Sequence, residues 1–376
     1  MLFVDVFFAH LLYLALRFIY IQKTIINCYK QYILTMAKID YSDFQLYRYT
    51  PNVAASRFFA VMFCIICVIV VAVFVAEGCK SMKKIYIYLD ANTSLSYSIK
   101  YYNRTQLIGA YVPLFFGIGS EIAGYICRSI SALHKDDTSP YIGQSICLLI
   151  APTFYTATIY MLFGRMAHLM QAEKLMIMPA RFNTTFFVVG DIISLLMQAA
   201  GGGLMAQESS ADTGSNIVTA GLFVQIGWFG LFIINEIYFL YKLGKIDNPI
   251  ASQTNTWKKL NFIILTNCVL ILLRSIVRAI EFIQGYQGTI ISHEWFLFVF
   301  DAVPMFLLPV IFVTFIRISS IYKVQEESVK IQTSYGYMKS MQDVQGPQVD
   351  NASANFTRSS SDNIAENTYN YDGEGK

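Results

Sequence analysis

Charge is what this sequence has least of. Only 14% of its 376 residues are Asp, Glu, Lys or Arg, against about a quarter in a soluble domain. The shortage is concentrated in runs of ~20 apolar residues, enough at 1.5 Å per residue to cross the ~30 Å of a bilayer's hydrocarbon. A soluble domain is excluded, and no nucleic-acid partner is expected. Histidine is scarce too. His10, His134, His168 and His293 are scattered over different segments, whereas an intramembrane zinc hydrolase needs three ligands converging at one depth. Neither a G-x-x-x-x-G-K-[ST] phosphate loop nor a G-x-S-x-G nucleophile elbow occurs. The seven cysteines lack the loop spacing of a disulfide framework. Cys64 and Cys67 form a C-x-x-C, but within an apolar helix, where packing is the expected role. No catalytic residue, metal or cofactor is expected.

What remains reads as an all-α, polytopic membrane bundle of seven transmembrane helices, at about 54–77, 106–127, 141–163, 184–206, 217–240, 260–284 and 293–316. Short connections make one domain of residues 54–316, behind an extracellular lead of residues 36–53. From about Tyr322 the composition turns to Ser, Asn, Gln and Asp, so residues 317–376 read as a disordered cytosolic tail. Residues 1–35 form an apolar extension interrupted by Asp5, His10 and Arg17. Two readings stand for it: an imperfect eighth span, or a gene-model extension upstream of a start at Met36, which is favoured.

Basic residues orient the bundle. The first connection carries Lys80, Lys83, Lys84, Lys100 and Arg104, the third Arg165, Lys174 and Arg181, and the fifth Lys242, Lys245, Lys258 and Lys259. Residues 207–216 and 285–292, on the opposite side, contain none. The lead therefore faces outward and the tail faces the cytosol.

Polar residues inside the spans fall on single helix faces. Glu121, Tyr125 and Arg128 stand at i, i+4 and i+7, as do Arg274, Arg278 and Glu281. Glu294 and Asp301 are seven apart, and so are Asp191 and Gln198. A charge at such depth costs ~2.5–3.5 kcal/mol on insertion scales unless it meets a partner or water. With this orientation Glu121, Arg128, Gln144, Gln198, Gln225, Arg274, Arg278, Glu281, Glu294 and Asp301 belong to the outer half. Arg165, Asp191 and Glu236 belong to the inner half. The expectation is an outward-opening polar cavity above an inner gate in which Asp191 pairs with Arg165. Interhelical ion pairs that merely fix register are the competing reading. Gly201-Gly202-Gly203 permits close helix approach or an unwound helix end, and Pro152, Pro304 and Pro309 free backbone carbonyls and kink their helices.

These residues resemble the fungal RTA-like family, the lipid-translocating exporters linked to resistance to toxic amphiphiles. The shared motifs are Tyr49-Thr50-Pro51, Glu121-x-x-Gly124-Tyr125-x-x-Arg128, Ala151-Pro152, and Ile159-Tyr160-Met161-x-x-Gly164-Arg165. They continue through Gly190-Asp191, Gln198 to Gly203, Gly221-Leu222-x-x-Gln225, Arg274-Ser275-x-x-Arg278-x-x-Glu281-Phe282 and His293-Glu294 with Asp301. The chain most resembles the branch holding the protoporphyrin-uptake and aminocholesterol-resistance members, and less the sphingoid-base translocator. The resemblance implies seven spans, an outside N-terminus, a cytosolic tail, the plasma membrane and a non-enzymatic protein that moves amphipathic cargo: sphingoid bases, sterol-like amines or porphyrins. Membrane lipids are its surroundings and partners. The alternative is a seven-helix lipid-stress receptor signalling through its tail. The orientation puts the sequons at Asn92, Asn103, Asn183, Asn351 and Asn355 on or near the cytosolic side. Glycosidase treatment of the native protein is therefore expected to leave its mass unchanged.

Overall fold

Large apolar side chains cover the outward faces of these helices, as contact with lipid permits. In the computed structural model Phe58, Val61, Ile65 and Val68 of the first long helix are half-exposed or more, and Phe223, Leu231 and Ile234 show the same on a later one. The structure describes residues 51–90, 101–134, 138–178, 180–205, 210–246, 248–284 and 294–334. Among these, seven helices are long and apolar enough to cross a membrane. They are α1 (Val53–Asp90), α2 (Val112–Leu133), α3 (Thr138–Leu169), α4 (Ala180–Met205), α5 (Ala211–Lys245), α6 (Thr256–Gln284) and α7 (Glu294–Phe315). The chain is a multi-pass membrane protein. Residues 1–50, which hold the apolar extension and most of the lead, lie outside the described residues.

Each helix packs against its neighbours in sequence, and α7 returns to α1, closing a ring. Across that ring α3 touches α6. With 67% of its apolar window buried inside the protein, α3 is the most enclosed span and forms the axis.

Lipid tails are as apolar as leucine, so close packing through small residues has to hold such helices together. Gly117 and Gly124 let α2 lie directly on α3. A Cβ added there would stand 2.8 Å from the Tyr155 ring and 2.7 Å from Leu148 Cδ2. Gly201 does the same for α4 and α5, with the Gly214 carbonyl and the Val218 amide each 2.7 Å away. The glycine run at the end of α4 thus serves close approach, and the helix continues to Met205.

One segment departs from the sequence reading. Residues 321–334, expected to begin the disordered tail, form a further helix, α8. Ile321, Val324, Gln325, Ser328 and Val329 make an i, i+3, i+4, i+7, i+8 stripe and are buried. The stripe escapes a hydropathy reading because two of its positions are polar and satisfied by hydrogen bonds. Gln325 Nε2 donates to the Tyr102 carbonyl at 2.9 Å, and its Oε1 accepts from the Tyr102 amide at 3.1 Å. Ser328 donates to the Leu169 carbonyl, Ser81 to the Tyr322 carbonyl, and Lys84 pairs with Glu326 at 2.9 Å. α8 thereby lies across the end of the bundle where the first, third and fifth connections emerge. Residues 335–376 lie outside the described residues.

Backbone stands on both sides of Gly201, so little can yield to a larger residue. Gly201→Val is expected to destabilise the protein by about 1–3 kcal/mol. Gly227→Ala, which meets open space, should be neutral. Thermal unfolding in detergent micelles checks both.

Candidate functional site

Proline at position 152 lacks the N–H that would bond the Leu148 carbonyl one turn earlier in α3. That carbonyl is used. Arg274 of α6 donates to it from Nη2 at 2.8 Å, and from Nε donates to Asp301 of α7. Asp301 is aimed by a second irregularity. Residues Phe298–Ala302 form a π-helical turn, closed by the Val303 N–H donating to the Phe298 carbonyl, immediately before Pro304. Two backbone defects, one in α3 and one in α7, meet at one guanidinium.

Further charges lie from this point towards the end of the bundle opposite α8. Arg278 lies 3.9 Å from the second Asp301 oxygen and donates to Glu281 at 3.0 Å. Arg128 of α2 pairs with Glu294 at 2.8 Å. Glu294 in turn accepts from the Asn52 amide at 2.9 Å, tying the approach to α1 onto α7. Phe298 stacks on Phe59 with 5.3 Å between centroids, and Arg128 stands over the Phe298 ring. Phe59 and Phe63 lie against Tyr125. Glu121 is 1% exposed, and its Oε1 has no hydrogen-bond partner. Neither do the hydroxyls of Tyr125 and Tyr155.

The structure therefore brings together Glu121, Tyr125, Arg128, Arg274, Arg278, Glu281, Glu294 and Asp301. Among the described residues the cluster is packed closely and shows no open cavity. Arg128, Arg274 and Asp301 are all buried, and only Arg278 and Glu281 keep about a fifth of their side chains exposed, at 23% and 22%. Gln144 is buried one turn before Leu148, with Oε1 unpartnered. Gln198 and Gln225 are not joined to the cluster by any hydrogen bond among the described residues. Gln198 donates to Gln225 at 3.0 Å, forming a clasp between α4 and α5 beside Gly221.

The inner layer needs correction. Asp191 does not pair with Arg165. Its Oδ2 accepts from Thr156 at 2.6 Å and from Tyr160 at 3.0 Å. At 100° per residue Arg165 points about 180° away from Thr156 and about 140° away from Tyr160, so it cannot share their face. Arg165 instead donates to the Leu107 carbonyl at 3.3 Å and covers the Tyr102 ring. That ring belongs to the residue clamped by Gln325, so Arg165 joins the closure made by α8. Burial pushes the Tyr102 phenol above its ordinary range, against the opposing pull of Arg165, so it remains a neutral platform for the cation. Glu236 is fully buried and accepts from Cys268 Sγ at 3.6 Å. Asn235 donates to Asn183 at 3.0 Å, which places that sequon inside the protein.

Several participants escaped sequence reasoning: Tyr155, Thr156, Cys268, Asn52 and the Leu148 carbonyl. Only the last left a signal, since a proline inside a span identifies the carbonyl four residues earlier as free. Tyr155 and Thr156 look like ordinary span residues.

Comparison with known proteins adds relatives. A family model described as "RTA1 like protein" matches residues 114–323. Protein RTA1 of Saccharomyces cerevisiae is 48% identical over 291 residues, covering 77% of this chain and 90% of its own. Protoporphyrin uptake protein 1 of the same yeast is 45% identical over 279 residues, 72% of this chain and 91% of its own. Sphingoid long-chain base transporter RSB1, also from that yeast, is 29% identical over 222 residues, 49% of this chain and 58% of its own. No solved structure matches.

Removing one member of a buried ion pair strands the other. Arg274→Met is expected to destabilise the bundle by about 3–5 kcal/mol. The double change with Asp301→Leu should recover most of that loss. Unfolding of the purified variants in mixed micelles measures the difference.

Proposed function

The chain belongs to the RTA1-like family, and on that premise we propose that it transports amphipathic molecules across the plasma membrane. The observation that carries this reading is the stack of three guanidinium–carboxylate pairs at the centre of a bundle whose outer surface is apolar. Helix register could be set by one such pair; three close together supply a polar path for a charged head group while an apolar body stays in lipid. The names of relatives support the same class of cargo, one for protoporphyrin and one for sphingoid long-chain bases. Sterol-like amines share that architecture.

In this reading the head group enters between Arg278 and Glu281, the exposed edge of the cluster, and exchanges with one member of an existing pair. Asp301, Glu281 and Glu121 suit cationic heads, and Arg274 and Arg278 suit anionic ones. Glu294, Arg128 and Tyr125 close the outer end, and Gln144 lines the same face of α3. Asp191, Glu236 and Arg165 hold the inner half. The clustering of Lys80, Lys83, Lys84, Lys242 and Lys245 at the α8 end supports a cytosolic position for that end and an outside N-terminus. The protein works without catalysis: no bond of the cargo is made or broken.

Reconstituted vesicles test this directly. Wild type should move a labelled sphingoid base, a labelled porphyrin, or both. Asp301→Asn should reduce that flux at least tenfold while the protein still folds. A purified protein that binds these probes, gives no flux and needs its tail for resistance in cells would be a receptor instead.

A further inference from the structure

Counting charge in the central cluster leaves one group over. Arg128 pairs with Glu294, Arg274 with Asp301, and Arg278 with Glu281. Glu121 is a fourth carboxyl, and the described residues supply no fourth cation to it. On α1 the cation at this end is Arg57, which is exposed and donates to Ser129. The cationic side chains of α3 are Arg165 and His168, at the opposite end of the helix, and α7 has none. The titratable and charged groups facing Glu121 are Asp301 from α7, Arg274 and Arg278 from α6, Tyr155 and Cys147 from α3, and Tyr125 from its own helix. Cys67 of α1 faces Tyr155.

Space decides what neutralises Glu121. Gly117 and Gly124 flank it on one face of α2, and the room they leave is filled by Tyr155 and Leu148. Oε1 of Glu121 is sealed from solvent and has no hydrogen-bond partner, so an ammonium head has no room beside it in the closed bundle. A proton needs no room, and Arg274 and Arg278, the guanidiniums that face Glu121, already pair with Asp301 and Glu281, so the buried carboxyl is left to a proton.

Building on the transport reading, we infer that Glu121 is a proton-exchange site, and that a cationic amine head group entering the cluster displaces its proton. The exchange is balanced at each step. A protonated amine takes the place of Arg274 at Asp301. Arg274, already within electrostatic reach of Glu121, pairs with Glu121 as a carboxylate. The Glu121 O–H bond breaks, and its proton passes to water. Among the described residues, three cations face three carboxylates and a neutral acid before the exchange. After it four cations face four carboxylates. An anionic head would instead leave the cluster with unbalanced negative charge, so the arithmetic selects amines over porphyrin carboxylates.

Calorimetry on the purified full-length protein tests the exchange. Binding of a sphingoid base with its free amine is measured in buffers of different ionisation enthalpy. Wild type should release about one proton per amine bound. Glu121→Gln, checked for an unchanged melting temperature, should release none, and Glu121→Asp should retain the release. The N-acetylated base, which carries no charge, should release none from wild type. Failure of wild type to bind the amine, binding without proton release, or equal release by Glu121→Gln would each overturn the proposal. Flux in vesicles separates this from the broader reading. Flux without proton release rejects the exchange and leaves transport standing, whereas proton release without flux rejects transport and leaves the exchange standing.

Discussion

Arg274 is the group on which the rest of the bundle depends. A guanidinium has five N–H donors and no way to lose its charge. Buried between α3, α6 and α7, it can be tolerated only if those donors are met. Asp301 meets its Nε, and the Leu148 carbonyl meets Nη2. Both acceptors exist because regular helix is broken nearby. Without Pro152 the Leu148 carbonyl would already be bonded within α3, and the π-turn ahead of Pro304 sets the direction of Asp301. The prolines are thus part of the charge site, and their cost to helix regularity is offset where the arginine needs partners.

Around this hub the forces differ from those in a soluble protein. Large apolar side chains face outward, so apolar burial does not distinguish the inside from the outside. Shape does. Glycines bring α2 onto α3 and α4 onto α5 until backbone and side chain touch, and the hydrogen-bonded pairs Gln198–Gln225 and Asn235–Asn183 lock the register of α4 against α5. Aromatic rings seal the end of the charged cluster away from α8, where Phe59 stacks on both Phe298 and Tyr125 beside Arg128.

The elements most legible in the sequence were those governed by one helix at a time. Span positions followed from hydropathy. The shared faces of Glu121, Tyr125 and Arg128, and of Arg274, Arg278 and Glu281, followed from the 3.6-residue period, and the structure brings those faces together. Pairing between helices was less legible, because it depends on rotation and depth that no single span encodes. Asp191 of α4 meets the Thr156–Tyr160 face of α3, yet Arg165 projects from the other side of α3. Gln198 looked like a neighbour of the charges and instead bonds Gln225. α8 was hidden for another reason: its buried stripe includes Gln325 and Ser328, whose polarity reads as exposure until the Tyr102 backbone and the Leu169 carbonyl are seen to satisfy them.

The docking of α8 also has a consequence for biogenesis. Its bonds to Ser81, Lys84 and Tyr102 join residues separated by 241, 242 and 223 positions. None of them can form until residues 321–334 have left the ribosome, after every span has been synthesised. While the chain is being inserted, the end of the bundle carrying the first, third and fifth connections has no cover from α8. Closure of that end therefore follows synthesis of all seven spans, and a chain halted after α7 would hold all seven helices but would lack the seal.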